Sequence, residues 1–151
     1  MNRNRSFWGW GVTDYQLDSA FVERFKSMLQ MSLGVKEFEE RPIPKLEEIA
    51  IRQPRFALSD SLSRFCTAEK WDRLAHHYGK SFRDVWRGLH GVYDNPPDYI
   101  AYPKTEEQIQ ELFRFAVEAN VALVPFGGGS SVTGGVEPTQ SDKYQGSMTV
   151  N

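Results

Sequence analysis

The chain has 151 residues, of which 40% are hydrophobic and 25% charged, a balance typical of globular rather than disordered proteins. Its net charge of -2 gives no positive field that would gather nucleic-acid phosphates, so no nucleic-acid partner is expected. A single cysteine, Cys66, excludes an intramolecular disulfide framework, and no apolar run approaches the roughly 18 residues of a transmembrane segment. We therefore expect a cytoplasmic protein.

The first predicted helix begins after Asp18 or Ser19, either of which can cap its free amides. Its apolar face comprises Phe21, Phe25, Met28 and Leu29. Gly34 is placed to end the helix in the left-handed conformation. Three prolines interrupt the following residues, 35–60, which we expect to form a connecting arm with one short turn near 46–49.

Two further helices are predicted between residues 67 and 91. Thr67 is placed to cap the first, which ends at Gly79 and has Trp71, Leu74, Ala75 and Tyr78 on one face. Ser81 and Asp84 have capping-box spacing at the start of the second, which ends at Gly91. Its apolar stripe comprises Phe82, Val85, Trp86 and Leu89. Together they predict a helical hairpin that turns at Gly79-Lys80.

Asn95-Pro96-Pro97 is the strongest turn signal in the chain and predicts a domain boundary. Residues 1–94 then form a helical N-terminal region, and residues 95–151 begin a different, α/β architecture. Residues 99–102 predict a short strand that Pro103 stops.

A strand–helix–strand unit is predicted after this boundary. Thr105 and Gln108 have capping-box spacing before a helix with Ile109, Leu112, Phe113, Ala116 and Val117 on one face. Asn120 is a plausible left-handed stop. The continuous apolar run at 121–126 predicts a strand covered on both faces. The fold class is therefore α+β, with a right-handed α/β crossover unit and a parallel strand pair.

A glycine-rich loop follows the second strand, since five of the 12 glycines fall between Gly127 and Gly135. Backbone without Cβ atoms can form a concave nest whose amides converge on an anion, and serine hydroxyls can donate further bonds. A phosphate or diphosphate is the natural ligand. The alternative is a flexible turn without function, which normally needs only one or two glycines.

Two common phosphate loops do not fit this sequence. The nucleoside-triphosphate loop needs a Gly-Lys-Ser/Thr ending, and no lysine occurs between Lys104 and Lys143. The G-x-G-x-x-G fingerprint starts at Gly127 and Gly129, but Val132 occupies its last position and residues 133–138 disfavour the required helix. A loop that binds diphosphate through backbone amides therefore fits best.

Residues 97–103 and 124–132 resemble the start of the FAD-binding domain of vanillyl-alcohol oxidase / p-cresol methylhydroxylase (PCMH-type) flavoenzymes. The resemblance covers residues 96–151 and implies FAD as the cofactor, with its diphosphate wrapped by this loop. The cofactor-binding residues it implies are Pro125, Phe126, Gly127, Gly128, Gly129, Ser130 and Ser131. No catalytic residue and no metal ligand is assigned.

The segment at 8–11, Trp-Gly-Trp-Gly, and the stretches at 76–79 and 82–84 resemble the alkyldihydroxyacetonephosphate (alkylglycerone-phosphate) synthase branch of this family. This resemblance implies an ether-lipid enzyme that exchanges acyl for alkyl on dihydroxyacetone phosphate, with a small or lipid-like substrate. A homodimer is possible. An FAD-dependent oxidase or dehydrogenase of 2-hydroxy acids is the close alternative, and a non-catalytic phosphate-binding module is the alternative from another class.

The remaining candidates favour structural roles. His76, His77, His90 and Cys66 lack zinc-ligand spacing. His76 and His77 are predicted to be solvated, His90 to cap or lie at the surface, and Cys66 to pack. Trp8 and Trp10 are predicted to anchor the N-terminal arm rather than line a substrate path. Since the family's substrate-binding domain follows its FAD domain, the chain is expected to be an N-terminal fragment that is inactive alone.

Overall fold

The computed structural model describes residues 5–13, 15–138 and 141–151. Within these ranges the chain forms five α-helices, a short 3-10 turn at Leu46–Glu48 and four strands. The helices are α1 (Ser19–Leu33), α2 (Asp60–Ser63), α3 (Lys70–Ala75), α4 (Phe82–Leu89) and α5 (Glu106–Glu118). The strands are β1 (Cys66–Thr67), β2 (Tyr99–Ala101), β3 (Val121–Pro125) and β4 (Gly146–Val150).

The strands form one mixed sheet in the order β1-β2-β4-β3. Strand β4 runs parallel to both β2 and β3, whereas β1 pairs antiparallel with β2. Helix α5 therefore connects two strands that run parallel, as predicted, but the predicted pairing between them is wrong, because β4 lies between β2 and β3. Strand β3 lies at the edge of the sheet. The prediction that residues 121–126 form a strand covered on both faces is wrong, because residues 122–124 are only half-buried and Pro125 is exposed. The fully buried central strand is β4, where Met148 and Thr149 have no exposed surface.

Helix α1 has the predicted ends. The Asp18 carboxylate accepts a hydrogen bond from the Phe21 amide at 2.8 Å, and Gly34 ends the helix at φ 66°. No residue of α1 is buried, however, and its apolar stripe faces outward, with Phe25 47% and Met28 50% exposed. The stripe is thus not part of the core.

Helix α3 is shorter than predicted. Thr67 belongs to β1 and accepts a hydrogen bond from the Glu69 amide, so it does not cap the helix. The helix ends at Ala75, which leaves Tyr78 and Gly79 in the connection to α4 rather than on the helix. The predicted hairpin turn at Gly79-Lys80 is therefore part of a six-residue connection, 76–81, and this length matters for the site.

Helix α4 has the predicted capping box of Ser81 and Asp84, but its buried face differs from the prediction. Phe82 is 87% exposed and Trp86 50% exposed, whereas Asp84 and Gly88 are buried. Ion pairing explains Asp84, because Arg87 binds it at 2.7 Å. Close backbone approach explains Gly88, where a Cβ would lie 2.6 Å from the carbonyl oxygen of Trp8. Polar and backbone contacts therefore decide which face of α4 turns inward.

Helix α5 is capped by Thr105, whose hydroxyl accepts from the Gln108 amide. The Gln108 side chain accepts from the Lys104 amide at 2.6 Å, one residue before the position that a capping box requires. Of the predicted apolar face, Leu112 and Ala116 are buried. Ile109 is 41%, Phe113 60% and Val117 82% exposed, so they do not pack in the core. Asn120 has φ 52°, which confirms the predicted left-handed stop.

The interior contains two hydrophobic clusters. The buried members of the first, under the sheet, are Leu62, Ala101, Leu112, Val121 and Met148. Those of the second, around α3, are Ile49, Leu74, Tyr78 and Tyr93. Cys66 packs partly buried against the first cluster, and burial raises the pKa of its thiol to about 12, which confirms its predicted packing role.

The fully buried carboxylate of Asp98 joins the two sides of the boundary predicted at residues 95–97. It accepts hydrogen bonds from the Arg52 guanidinium, from the Arg55 guanidinium at 2.8 Å and from the Ser147 amide at 2.8 Å. Burial opposes ionisation, but these bonds outweigh it and hold the pKa of Asp98 below its usual range. The division at residue 95 stays a prediction, and the structure adds that an ion cluster and strand β1 cross it.

Candidate functional site

The glycine-rich loop leaves the carboxyl edge of the parallel strands, directly after β3. The Phe126 amide donates to the Val150 carbonyl at 2.8 Å and so continues the sheet by one residue. The Phe126 ring is buried, with its centroid 4.6 Å from that of His76. Phe126 therefore holds the base of the loop and points away from solvent, while Gly127 and Gly128 are exposed.

Two glycines have different roles in the loop. Gly129 has φ 67°, and a Cβ there would lie 2.6 Å from the Phe126 ring, so only glycine fits. Gly127 has no such constraint, because a Cβ there would meet no atom within 4 Å. The glycine at 129 shapes the loop, whereas the one at 127 leaves open space over the backbone.

The backbone amides of residues 127–134 have no hydrogen-bond acceptor among the residues that the structure describes. Farther along, the Gly135 amide donates to the Ser131 hydroxyl at 3.3 Å, and the Glu137 amide to the Gly134 carbonyl at 3.1 Å. A run of eight free N–H groups around an open glycine is the donor set that a phosphate or diphosphate needs. The residues predicted from the sequence are thus brought together, with the exception of the Phe126 side chain and of Pro125, which has no N–H to donate.

The connection between α3 and α4 packs directly on this loop. The Lys80 amide donates to the Ser131 carbonyl at 2.6 Å, and a Cβ on Gly79 would lie only 2.1 Å from the same oxygen. From the N-terminal arm, the Arg5 guanidinium donates to the Gly128 carbonyl. The loop is therefore supported by residues that lie far before it in the sequence.

His76 and His77 are buried, with exposed fractions of 3% and 1%, so the prediction that they are solvated is wrong. The His76 Nδ1 lies 2.7 Å from the Asp72 carbonyl and its Nε2 lies 3.0 Å from the Asn151 amide nitrogen, which fits a neutral ring. Burial lowers the pKa of both histidines, that of His77 to about 3. Because α3 ends at Ala75, neither residue follows the helical spacing on which the prediction depended.

The other sequence candidates have structural positions. His90 bonds the Trp86 carbonyl through Nδ1 at 2.7 Å at the end of α4, which confirms a capping role. Trp8 is half-buried against Gly88, as an anchor would be, but Trp10 is 60% exposed and so lacks the burial predicted for an anchor. No group of three or more His, Cys, Asp or Glu side chains within the described ranges could hold a metal ion.

Sequence reasoning missed Arg5, Ser6 and Lys80, which line a cavity of about 200 Å³ beside the loop together with His76, Phe126 and Gly129. No motif indicates these residues, because they come from two separate segments of the N-terminal region. The only available signal was that a lysine follows Gly79 in a glycine-containing turn. No helix within the described residues is long and apolar enough to cross a membrane.

A mixed sheet whose edge strand β3 leads into a glycine-rich loop with free backbone amides is the architecture of a nucleotide-cofactor-binding α/β domain. Residues 97–145 match the FAD binding domain family. The matched segment contains the whole predicted loop. FAD is therefore the cofactor that this domain indicates.

Three relatives found by sequence carry the name alkyldihydroxyacetonephosphate synthase. The one from Trypanosoma brucei brucei is 38% identical over 105 residues, covering 66% of this chain and 17% of the relative. The one from Dictyostelium discoideum is 32% identical over 117 residues, covering 70% of this chain and 18% of the relative. The one from Caenorhabditis elegans is 23% identical over 159 residues, covering 89% and 26%. The chain thus spans about a quarter or less of their lengths.

Two solved structures of an alkyldihydroxyacetonephosphate synthase, in different crystal forms, have the same fold. They superpose with TM-scores of 0.76 and 0.75 at 24% and 23% sequence identity. Each match covers 97% of this chain, and 32% and 31% of the solved chains. The fold match extends through the N-terminal region, so the α+β fold class is confirmed for nearly the whole chain. The names of the relatives found by sequence do not favour the two alternatives, a 2-hydroxy-acid oxidoreductase and a non-catalytic module.

Proposed function

We propose that this chain binds the diphosphate of FAD through the backbone amides of its glycine loop, as part of an alkyldihydroxyacetonephosphate synthase-like flavoenzyme. The observation that carries the proposal is the run of free amides at 127–134 within the segment that matches the FAD binding domain. Ser130 is exposed beside them, and its hydroxyl can donate a further bond. These groups fit a diphosphate because they offer many donors and no competing carboxylate within the loop.

Bound FAD would supply the reactive flavin ring, which is the chemistry that the side chains of this segment lack. The residues of this chain have binding and positioning roles. The amides at 127–131 bind the diphosphate, Gly129 sets their direction, and Phe126 fixes the loop to the sheet. We therefore assign 127–131 to contact with the cofactor, Pro125 and Phe126 to positioning of the loop, and no residue of this chain to catalysis.

The substrate class follows from the relatives. Because they carry the name of an enzyme of dihydroxyacetone phosphate ethers, we propose a small, lipid-like phosphate ester as the substrate of the whole protein. We further propose the division into a helical region, 1–94, and an FAD-binding region from 95 onward, a cytoplasmic location and a homodimer. Light scattering of the purified protein tests the last of these.

Titration of the chain with FAD and with riboflavin tests the cofactor proposal. Riboflavin has the same ring but no phosphate, so we expect FAD to bind at least tenfold more tightly, because the amides at 127–131 contact only phosphate. Flavin fluorescence or calorimetry measures both affinities. Equal affinities, or no binding of FAD, would contradict the proposal.

The activity is tested separately, with the longest natural protein that contains this sequence. We expect it to exchange the acyl group of acyl-dihydroxyacetone phosphate for a fatty alcohol. Turnover of 2-hydroxy acids with an electron acceptor, without this exchange, would instead support the oxidoreductase alternative.

A further inference from the structure

The charged side chains that line the cavity between the glycine loop and the 76–81 connection are all positive. Of the side chains that line it, Arg5 and Lys80 are cationic and none is a carboxylate. The Ser6 hydroxyl accepts hydrogen bonds from the amides of Trp8 and Gly9 and thus keeps its own proton free to donate. His76 is neutral and adds no charge to the cavity. The charged and hydroxyl side chains of the cavity therefore supply positive charge and a donor, beside the apolar side chains of Trp71, Ala75 and Phe126.

Lys80 is the unusual residue of this cavity. Only 9% of its surface is exposed, and no residue within the described ranges accepts a hydrogen bond from its ammonium group. The carboxylate that acts on it, Asp84, is already bound by Arg87 at 2.7 Å and by the Ser81 amide at 3.3 Å. Burial lowers the pKa of Lys80 to about 8, and Arg5 acts in the same direction. An ammonium on a largely buried side chain, without a carboxylate of its own, is stabilised when an anion joins it.

The positive charge of Lys80 lies beside the glycine loop. Its own amide is bonded to the Ser131 carbonyl, so its backbone lies against the loop, and the cavity it lines extends to Gly129. Arg5 reaches the same loop through the Gly128 carbonyl. Both cations are thus fixed beside free amides that favour the same kind of ligand.

We propose that this cavity is a phosphoryl-binding subsite in which Lys80, assisted by Arg5 and Ser6, neutralises the charge of a phosphate group. The phosphate belongs either to the FAD diphosphate on the adjoining loop or to a phosphate-ester substrate. For the first source the inference rests on the proposed function, whereas for the second it stands independently. In both cases the N-terminal region contributes directly to the site.

The test compares Lys80→Met with Lys80→Arg in the chain as it stands, by calorimetric titration with FAD, riboflavin, inorganic phosphate and glycerol phosphate. Lys143→Met is the matched control, because Lys143 is exposed in the turn before β4, at the opposite end of the parallel strands. We expect Lys80→Met to lower the affinity for at least one phosphate-containing ligand at least tenfold. Lys80→Arg should keep that affinity within threefold of the wild type, and the affinity for riboflavin should not change in either variant. The melting temperature of unliganded Lys80→Met should be no lower than that of the wild type, since methionine keeps the largely buried side-chain packing and removes a charge that has no ion pair.

The outcomes distinguish the two sources of the phosphate group, FAD and a substrate. A loss with FAD assigns the subsite to the cofactor diphosphate, and a loss with glycerol phosphate but not FAD assigns it to a substrate phosphate. If the wild type ignores FAD but binds phosphate through Lys80, the proposed function fails and the subsite stands. Unchanged affinities in Lys80→Met, or a wild type that binds none of the phosphate ligands, would overturn the subsite.

Discussion

The Gly79 backbone lies against the Ser131 carbonyl so closely that a Cβ on Gly79 would be 2.1 Å from that oxygen. The next residue, Lys80, donates its amide to the same oxygen at 2.6 Å. A turn in the N-terminal region thus fixes one side of the glycine loop. The position of the loop depends on residues about fifty positions earlier in the chain.

Replacement of Gly79 by alanine should displace the loop, because the contact partner is backbone that cannot rotate away. We expect Gly79→Ala to lower the free energy of unfolding by about 1–3 kcal/mol, as overpacking does, and to weaken FAD binding. Denaturant unfolding and FAD titration measure the two effects. Gly135→Ala is the control, because a Cβ there meets its nearest atom at an ordinary 3.8 Å; a similar loss in both variants would argue against the contact.

Gly127 and Gly129 should respond differently to the same substitution. Gly129→Ala introduces a residue at φ 67° and a clash with the Phe126 ring, so we expect it to lose about 1–2 kcal/mol of stability. Gly127→Ala should leave the melting temperature unchanged, since no atom lies within 4 Å of the added carbon. It should weaken the binding of FAD, because the added carbon fills the open space over the amides. Thermal melts with and without FAD test both variants. Intact FAD affinity in Gly127→Ala would show that the ligand does not occupy this space.

The Asp98 ion cluster should contribute strongly to stability. Asp98→Asn leaves Arg52 and Arg55 without their anion, and we expect a loss of roughly 2–3 kcal/mol, less than for a fully buried pair because both guanidiniums are partly exposed. Because the pKa of Asp98 is held below its ordinary value of 3.8, its stabilisation is present above that value and is lost as the pH falls further. Asp142→Asn, at an exposed position, is the control. Equal unfolding midpoints in urea for both variants would contradict the assignment.

The buried His77 should make the folded protein less stable in acid. Its ring nitrogens are buried without partners among the described residues, and burial lowers its pKa to about 3 from 6.5. The unfolded chain therefore binds a proton between pH 6.5 and 3 that the folded chain does not, so the free energy of unfolding falls across this range.

Replacement of His77 by phenylalanine should reduce this acid-dependent loss. The ring would keep its packing beside Tyr78 and Tyr93, and stability at pH 7 should be unchanged or higher by about 1 kcal/mol, because two unsatisfied nitrogens are removed. His76 keeps part of the slope, because burial lowers its pKa as well. Urea unfolding at pH 5 and 7 measures the change. A slope that matches the wild type would contradict this account of His77, and His90→Phe controls for loss of any histidine.

Local signals in the sequence predicted those features that local chemistry determines. The Asp18 cap, the Ser81–Asp84 capping box and the left-handed Asn120 depend on neighbours within a few residues, and all three are confirmed. The glycine loop was found because the absence of side chains over several positions is itself visible in the sequence.

Features set by distant contacts were not predictable in this way. Apolar periodicity assigned the wrong face to α4, because the buried positions are decided by Arg87, Glu137 and the backbone of Trp8. The sequence also could not show that β4 enters between β2 and β3, which moves β3 to the edge. Lys80 was missed for the same reason, since its burial arises from an arm and a loop far from it in the chain.

Binding of the FAD diphosphate by the backbone amides of the glycine loop is tested most directly by amide chemical shifts of the ¹⁵N-labelled chain during titration with FAD. We expect the resonances of residues 127–134 to shift with FAD and not with riboflavin, while those of α1 remain unchanged. Binding of FAD that leaves the amides at 127–134 unshifted would contradict this expectation.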